Sequence, residues 1–310
     1  MENKALLRGL ALSTVYLVWG STFYAITIGL ESMPPLHLIG LRFLVAGMLL
    51  YGVARSQGAP ALTTAQWREQ AILGTLLLVL GPGLVAWAEQ WVASGLAALL
   101  VGTSPLWIAL LDEHKPLTAQ RMAGIALGLV GLGLLVGNDF RLLEPGRLMA
   151  IAALLGSALA WAVGSLYARR TSPLPTGLRA GSQMLWAGLV LLVVGQARGE
   201  AFDPWATSRS GWLALAYLTL LGSLLAFWAY NWLLSNCPAQ VLATHAYVNP
   251  VVALWLGCWL GAEPLGLPIV LATMLSLAGV ALMTASENGA ARGWRIRPPA
   301  ALLRRTSGRC

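Results

Sequence analysis

WAEQW (87–91) and WAYNW (228–232) are near copies of one pentapeptide, each Trp-Ala-x-amide-Trp inside apolar sequence. The likeness extends outward in the same order. Trp19-Gly20 is echoed by Trp161-Ala162, and GLAALLVGTSPLW (95–107) by QVLATHAYVNPVV (240–252), which sets Pro105 against Pro250. KPLT (115–118) matches EPLG (263–266), and LVGLGLL (129–135) matches LAGVALM (277–283). The chain reads as one unit written twice.

The surroundings fix the class. Of 310 residues, 57% are hydrophobic and 10% charged, with a mean hydropathy of +0.70. Soluble domains carry roughly 25% charged residues, so this composition predicts a membrane protein. Apolar runs of membrane-spanning length fall at 6–29, 36–54, 70–88, 93–111, 119–136, 148–168, 178–197, 211–231, 240–260 and 266–285. Helices are expected, because an open strand leaves its backbone groups unsatisfied in lipid. The alternation of a barrel strand is absent. The first run continues through Trp19 and Tyr24 with no small-residue cleavage site, and reads as a retained helix.

The reading is an all-α integral membrane protein with ten transmembrane helices. Five spans per half is an odd number, so the second half enters the membrane from the opposite side. The expectation is two inverted repeats, 1–140 and 141–288, around a central cavity. A basic tail, 289–310, follows; its prolines and scattered arginines predict disorder. With the N-terminus in the cytoplasm, fifteen basic residues lie inside and Arg141, Arg147, Arg198 and Arg209 outside. That bias predicts cytoplasmic termini. The net charge of +8 is then a topology signal and implies no nucleic acid partner. Cys237, Cys258 and Cys310 have no metal-ligand spacing and make no even framework, and Cys237 and Cys258 read as packing residues.

VWGSTFYAITIGLESMPPLHLIGLRFLVAGMLL (18–50), SGLAALLVGTSPLW (94–107), AWAVGSLYARR (160–170) and AYVNPVVALWLG (246–257) resemble the EamA family of the drug/metabolite transporter superfamily, in its bacterial inner-membrane subgroup. The resemblance covers about residues 8–285. It implies helices 1, 3, 4, 6, 8 and 9 around a cavity, with 2, 5, 7 and 10 outside them. It also implies export of amino acids, metabolites or drugs from the cytoplasm; the chain itself is expected to be a monomer or homodimer. One departure stands out: the run from Pro105 to Pro116 is shorter than its counterpart from Pro250 to Pro264. The connection after helix 4 is therefore expected to be shortened.

Polar groups within spans usually face protein or water. Gln90 and Asn231, the paired amides, are candidates for solute contact or for interhelical bonds. Trp19, Trp87, Trp161 and Trp228 recur between the halves and are candidates for the cavity wall; Tyr24 joins them. Trp87 and Trp228 are expected to face each other across a pseudo-twofold axis. His245, Tyr247 and Asn249, just before Pro250, are candidates for solute contact, His245 also for carrying a proton or for a satisfied place in the core, and Pro105 and Pro250 are candidate hinges. Arg42, inside helix 2, is expected to pair with Glu31 or Glu89, or to anchor a substrate carboxylate. The glycines at 124, 128, 131 and 133 predict close packing of helix 5.

No phosphate loop of the GxxxxGK[ST] kind, no HExxH and no GxSxG appears, so no ATPase, metalloprotease or serine hydrolase is expected. No cofactor or metal is expected. The function read from the sequence is secondary transport, by alternating access, of a small-molecule substrate out of the cytoplasm. A non-transporting membrane binding or signalling module and an integral membrane enzyme are the alternatives.

Overall fold

A computed structural model describes residues 2–112, 118–137, 144–237, 245–261 and 266–290. The described residues are helical and include no strand. In chain order α1 runs through Glu2–Thr14, Val15–Trp19 and Gly20–Leu30, its middle piece π-helical. Next come α2 (Pro35–Ser56), then α3 in three pieces, Thr64–Gly74, a π stretch Thr75–Gly83, and Leu84–Ala88. α4 is split into Ser94–Val101 and Ser104–Leu111. α5 (Ala119–Gly137), α6 (Pro145–Ala168) and α7 (Thr176–Ala197) are unbroken. α8 runs through Arg209–Tyr217, a π stretch Leu218–Leu225 and Ala226–Asn236, followed by α9 (His245–Gly261) and α10 (Leu267–Ala290).

Among the described residues, seven helices, α1–α4 and α6–α8, are long and apolar enough to cross a membrane. α9 and α10 carry shorter apolar stretches, Val248–Gly261 and Leu267–Gly279. The shortened connection after α4 and nearly all of the basic tail lie outside the described residues.

Local chemistry sets the helix ends. α3 starts at Thr64, earlier than the apolar run at 70, because Thr63 and Gln66 form a reciprocal capping box. Proline occupies the first turn of α2 and of α6, where its missing N–H costs nothing. α2 and α7 stop in the same way. Gly58 (φ 86°) and Gly199 (φ 79°) turn left-handed, and Ala59 and Glu200 donate back to Ala54 and Gly195, both at 3.0 Å. The step from Gly58 to Gly199 is the same as that from Trp87 to Trp228.

Packing uses small residues inside and large ones outside. Ala46, Ala86, Ala97, Ala158 and Ala187 are buried, whereas Val193, Leu213, Trp255 and Trp259 are exposed. This arrangement suits a lipid solvent, in which close backbone approach replaces hydrophobic exclusion. α2 lies along α7, α5 along α10 and α4 against α9. α1 meets α8 and α9; α6 meets α3 and α4.

The α2–α7 seam is built from glycines in pairs. A Cβ at Gly188 would fall 2.6 Å from Leu44 N, and one at Gly47 would fall 2.6 Å from Leu185 N. A Cβ at Gly181 would fall 2.5 Å from Tyr51 N, and one at Gly40 2.8 Å from Leu192 Cγ. Each contact is its partner moved along the chain by the step that separates the two pentapeptides. The partners rise along one helix as they fall along the other, so α2 and α7 run antiparallel. The glycines of α5 serve a similar seam: a Cβ at Gly279 in α10 would fall 2.5 Å from Gly124 O and 2.8 Å from Gly128 N.

Candidate functional site

The site begins with three π stretches. A π turn bonds i to i+5 and releases carbonyls from the regular ladder. In α3 the stretch contains Pro82, which has no N–H, and Gly81 takes a non-helical conformation (φ −78°, ψ −109°). The released carbonyls find donors on other helices. Ser157 Oγ of α6 donates to Gly81 O (3.2 Å), and Trp19 Nε1 of α1 donates to Gly222 O in the π stretch of α8 (3.1 Å). Gly81 and Gly222 again hold equivalent places in the two copies.

These bent helices border a cavity of about 170 Å³. Phe23 and Ile26, Leu78 and Val85, Ala98 and Val101 give it apolar walls from α1, α3 and α4. Ser157 and Trp161 enter from α6, Ser223 and Phe227 from α8, His245 and Asn249 from α9. α2 and α7 were expected outside the cavity, yet they contribute Arg42, Phe43 and Met184. The glycine seam holds these two helices backbone to backbone, and one residue pair beside it, Phe43 and Met184, reaches the cavity from both.

Arg42 is 5% exposed. Its Nε–H donates to Ser223 Oγ at 2.8 Å, and its guanidinium carbon lies 5.1 Å from the Phe43 ring centroid. The expected ion pair with Glu31 or Glu89 is not formed. Glu89 instead accepts from Thr27 Oγ1 at 3.2 Å. Arg42 points to the cavity, while both glutamates sit past the helix ends.

Trp19 anchors an aromatic corner, 5.0 Å from Tyr230 and 5.6 Å from His245 between ring centroids. Asn249, with its amide nitrogen turned to the nearby carbonyls, donates to His245 O (3.1 Å) and to Tyr16 O in the π stretch of α1 (3.3 Å). It therefore ties α9 to α1.

The cavity gathers Trp19, Trp161, His245, Asn249, Pro250 and Arg42 from the sequence candidates. Others lie elsewhere. Trp87 packs at a tilt of 53° on Trp91 (4.6 Å between ring centroids), and Gln90 donates to Trp87 O (2.8 Å), closing its own helix end. Trp228 is 64% exposed and lines a second cavity of about 590 Å³ with residues of α2 and α7. Trp87 and Trp228 do not face each other across the centre. Tyr24 is half-buried and off the cavity wall. Asn231 and Tyr247 fall in α8 and α9, and their side chains are outside the described residues. Pro105 opens the second half of α4 at its first turn, whereas Pro250 sits inside α9 without interrupting it. Gly102 marks the break in α4; a Cβ there would fall 3.0 Å from Pro250 Cγ. Sequence reading missed Ser223, Phe227, Phe43 and Met184. The Gly-Pro-Gly run at 81–83 was the available signal for the bend in α3.

Likeness to known proteins decides the family. The signature of the EamA-like transporter family matches residues 8–137 and 148–285. The chain belongs to that family. Within it, the chain is 40% identical over 278 residues to the uncharacterized inner membrane transporter YedA of Escherichia coli K12, covering 88% of this chain and 89% of YedA. It is 27% identical over 291 residues to a probable terminal-alkyne amino-acid exporter of Streptantibioticus cattleyicolor, covering 91% and 95%. A solved crystal structure, 20% identical, superposes with a TM-score of 0.65 over 92% of this chain and 98% of that one. This EamA member is thus a membrane transporter by family, with a polar-studded cavity among its helices.

Proposed function

We propose that the chain is a secondary transporter that exports a small organic solute by alternating access through this cavity. The halves 1–140 and 141–288 form inverted five-helix repeats in the inner membrane, with both termini cytoplasmic. The observation that carries the reading is that both halves line one cavity with corresponding residues: Gly81 with Gly222, Phe43 with Met184, Trp19 with Trp161. The antiparallel, position-matched glycine contacts of α2 and α7 support an inverted relation. Two copies of opposite sense can exchange conformations, which turns one site from one face of the membrane to the other. The relative named as an amino-acid exporter supports a small exported solute.

The test uses two readouts. Purified protein in liposomes should catalyse solute flux. A cysteine at Ser157, introduced after replacing Cys237, Cys258 and Cys310, should react with an impermeant thiol reagent from either face. Labelling confined to one face under all conditions would overturn alternating access.

A further inference from the structure

We infer that the cavity is built for an organic monocarboxylate with a small apolar body, whose carboxylate is held by Arg42. The inference rests on the transport reading only for its biological direction; the recognition itself needs no second compartment.

Charge decides the head group. Among the described lining residues Arg42 is the one with a fixed charge, His245 is the other titratable group, and no aspartate or glutamate is present. A guanidinium keeps its proton, so the cavity holds a cation that no carboxylate among the described lining residues neutralises. Burying such a charge is costly unless a partner arrives.

The guanidinium is also positioned. Of its five N–H groups, the Nε–H is taken by Ser223. The Nη end stands against bare backbone: a Cβ at Gly222 would fall 3.0 Å from Nη2. Glycine at 222 therefore makes the space the fork sits in. The four remaining N–H groups have no protein acceptor among the described residues. Two parallel N–H groups match the two oxygens of a carboxylate.

Volume and walls decide the body. A dry cavity of roughly 150 Å³ admits benzene, and this one, at about 170 Å³, has Phe23, Ile26, Phe43, Met184 and Phe227 around it. One ring or a short alkyl chain fits. An ammonium group on the same solute would meet aromatic faces, a weaker partner than a carboxylate. A zwitterion is thus half served, and an organic cation is repelled.

The experiment keeps the body constant and varies the head group. Phenylacetate, phenylacetamide, phenylglycine, benzylamine and benzyl phosphate are titrated calorimetrically into the purified full chain in detergent. Phenylacetate is expected to bind at least tenfold more tightly than each of the others. Arg42→Gln should erase the gap between phenylacetate and phenylacetamide, and Arg42→Lys should restore part of it. Should Arg42→Gln fail to fold, the series on the native chain still decides. Equal or tighter binding of phenylglycine or benzylamine overturns the inference, as does absence of binding by every probe at millimolar concentration. Tighter binding of benzyl phosphate overturns the carboxylate assignment. Selective phenylacetate binding without flux in liposomes upholds the site and removes the transport reading; flux indifferent to head group does the reverse.

Discussion

Replacing Gly188 by alanine should weaken the fold by about 1–3 kcal/mol, the range for overpacking a close contact. The added Cβ would lie 2.6 Å from Leu44 N, 2.9 Å from Gly40 O and 2.9 Å from Leu44 Cα. Comfortable separation is roughly 3.5 Å, so α2 and α7 must part by about 0.9 Å. Backbone atoms, not a flexible side chain, receive the methyl group, and no rotamer change can relieve it. Parting the helices also withdraws support from the pair at Gly47 and Leu185. Gly52, on α2, is the control: a Cβ there meets nothing within 4 Å. Gly52→Ala removes a glycine from a helix interior and should be neutral or stabilising by up to about 1 kcal/mol. Thermal unfolding in detergent, followed by size-exclusion fluorescence, separates the two. A Gly188→Ala protein that melts with the native chain would refute the seam, and so would a Gly52→Ala protein that melts as early as Gly188→Ala.

Other substitutions probe the cavity. Trp19→Phe keeps a ring beside Tyr230 and His245 but strands the Gly222 carbonyl, which should cost about 1–3 kcal/mol; an unchanged melting temperature would show that the bond is dispensable. Phe227 lines both cavities, so Phe227→Ala should join them and raise solute leak through reconstituted protein, while Phe227→Trp should slow flux; indifference to both would take Phe227 off the path. Trp228→Ala should alter solute affinity by no more than about twofold, the spread of surface substitutions; a tenfold loss in titration would place it at the site after all.

The apolar runs marked the helices because a lipid solvent demands a length that little else in a sequence imitates. The repeat also led to Trp19 and Trp161, which the structure brings to one cavity. It misled on Trp87 and Trp228. A π turn inserts an extra residue, and one residue turns a helix face by about 100°. α3 and α8 each carry such a stretch just before the tryptophan, so Val85 and Phe227 meet the cavity instead. Gln90 was misplaced for a different reason: an amide just past a helix end bonds its own last turn before any distant partner. Arg42 drew an expectation of a carboxylate because charge in a span usually needs one. Its partner, Ser223, is a hydroxyl far along the chain, brought close by the crossing of α2 and α8 and invisible to local reading.

The departures from repetition are where a site can acquire chemistry. Moved by the step between the two pentapeptides, Arg42 falls on Gln183 and Pro82 falls on Ser223. The first half thus sends a guanidinium from α2 to a hydroxyl on α8. The second sends an amide from α7 to α3, where Gln183 Nε2 donates to Gln70 Oε1 at 2.9 Å in a buried bond. The amide pair is neutral and bonds its two halves together; the guanidinium keeps unspent donors and faces the hollow. Phe43 and Met184, one position further along, both line the cavity, so the two helices present the same face and differ in what they carry beside it. A repeat held strictly would give two neutral sides, or two cations repelling across a small space. On the proposed carboxylate reading, one charged side and one neutral side would give a solute a single orientation, head group toward α2 and apolar body toward α7. A Gln183→Arg protein would therefore gain no second anion and lose the Gln70 bond. Weaker phenylacetate binding, with earlier melting, is the expected outcome; tighter binding would refute the one-sided design.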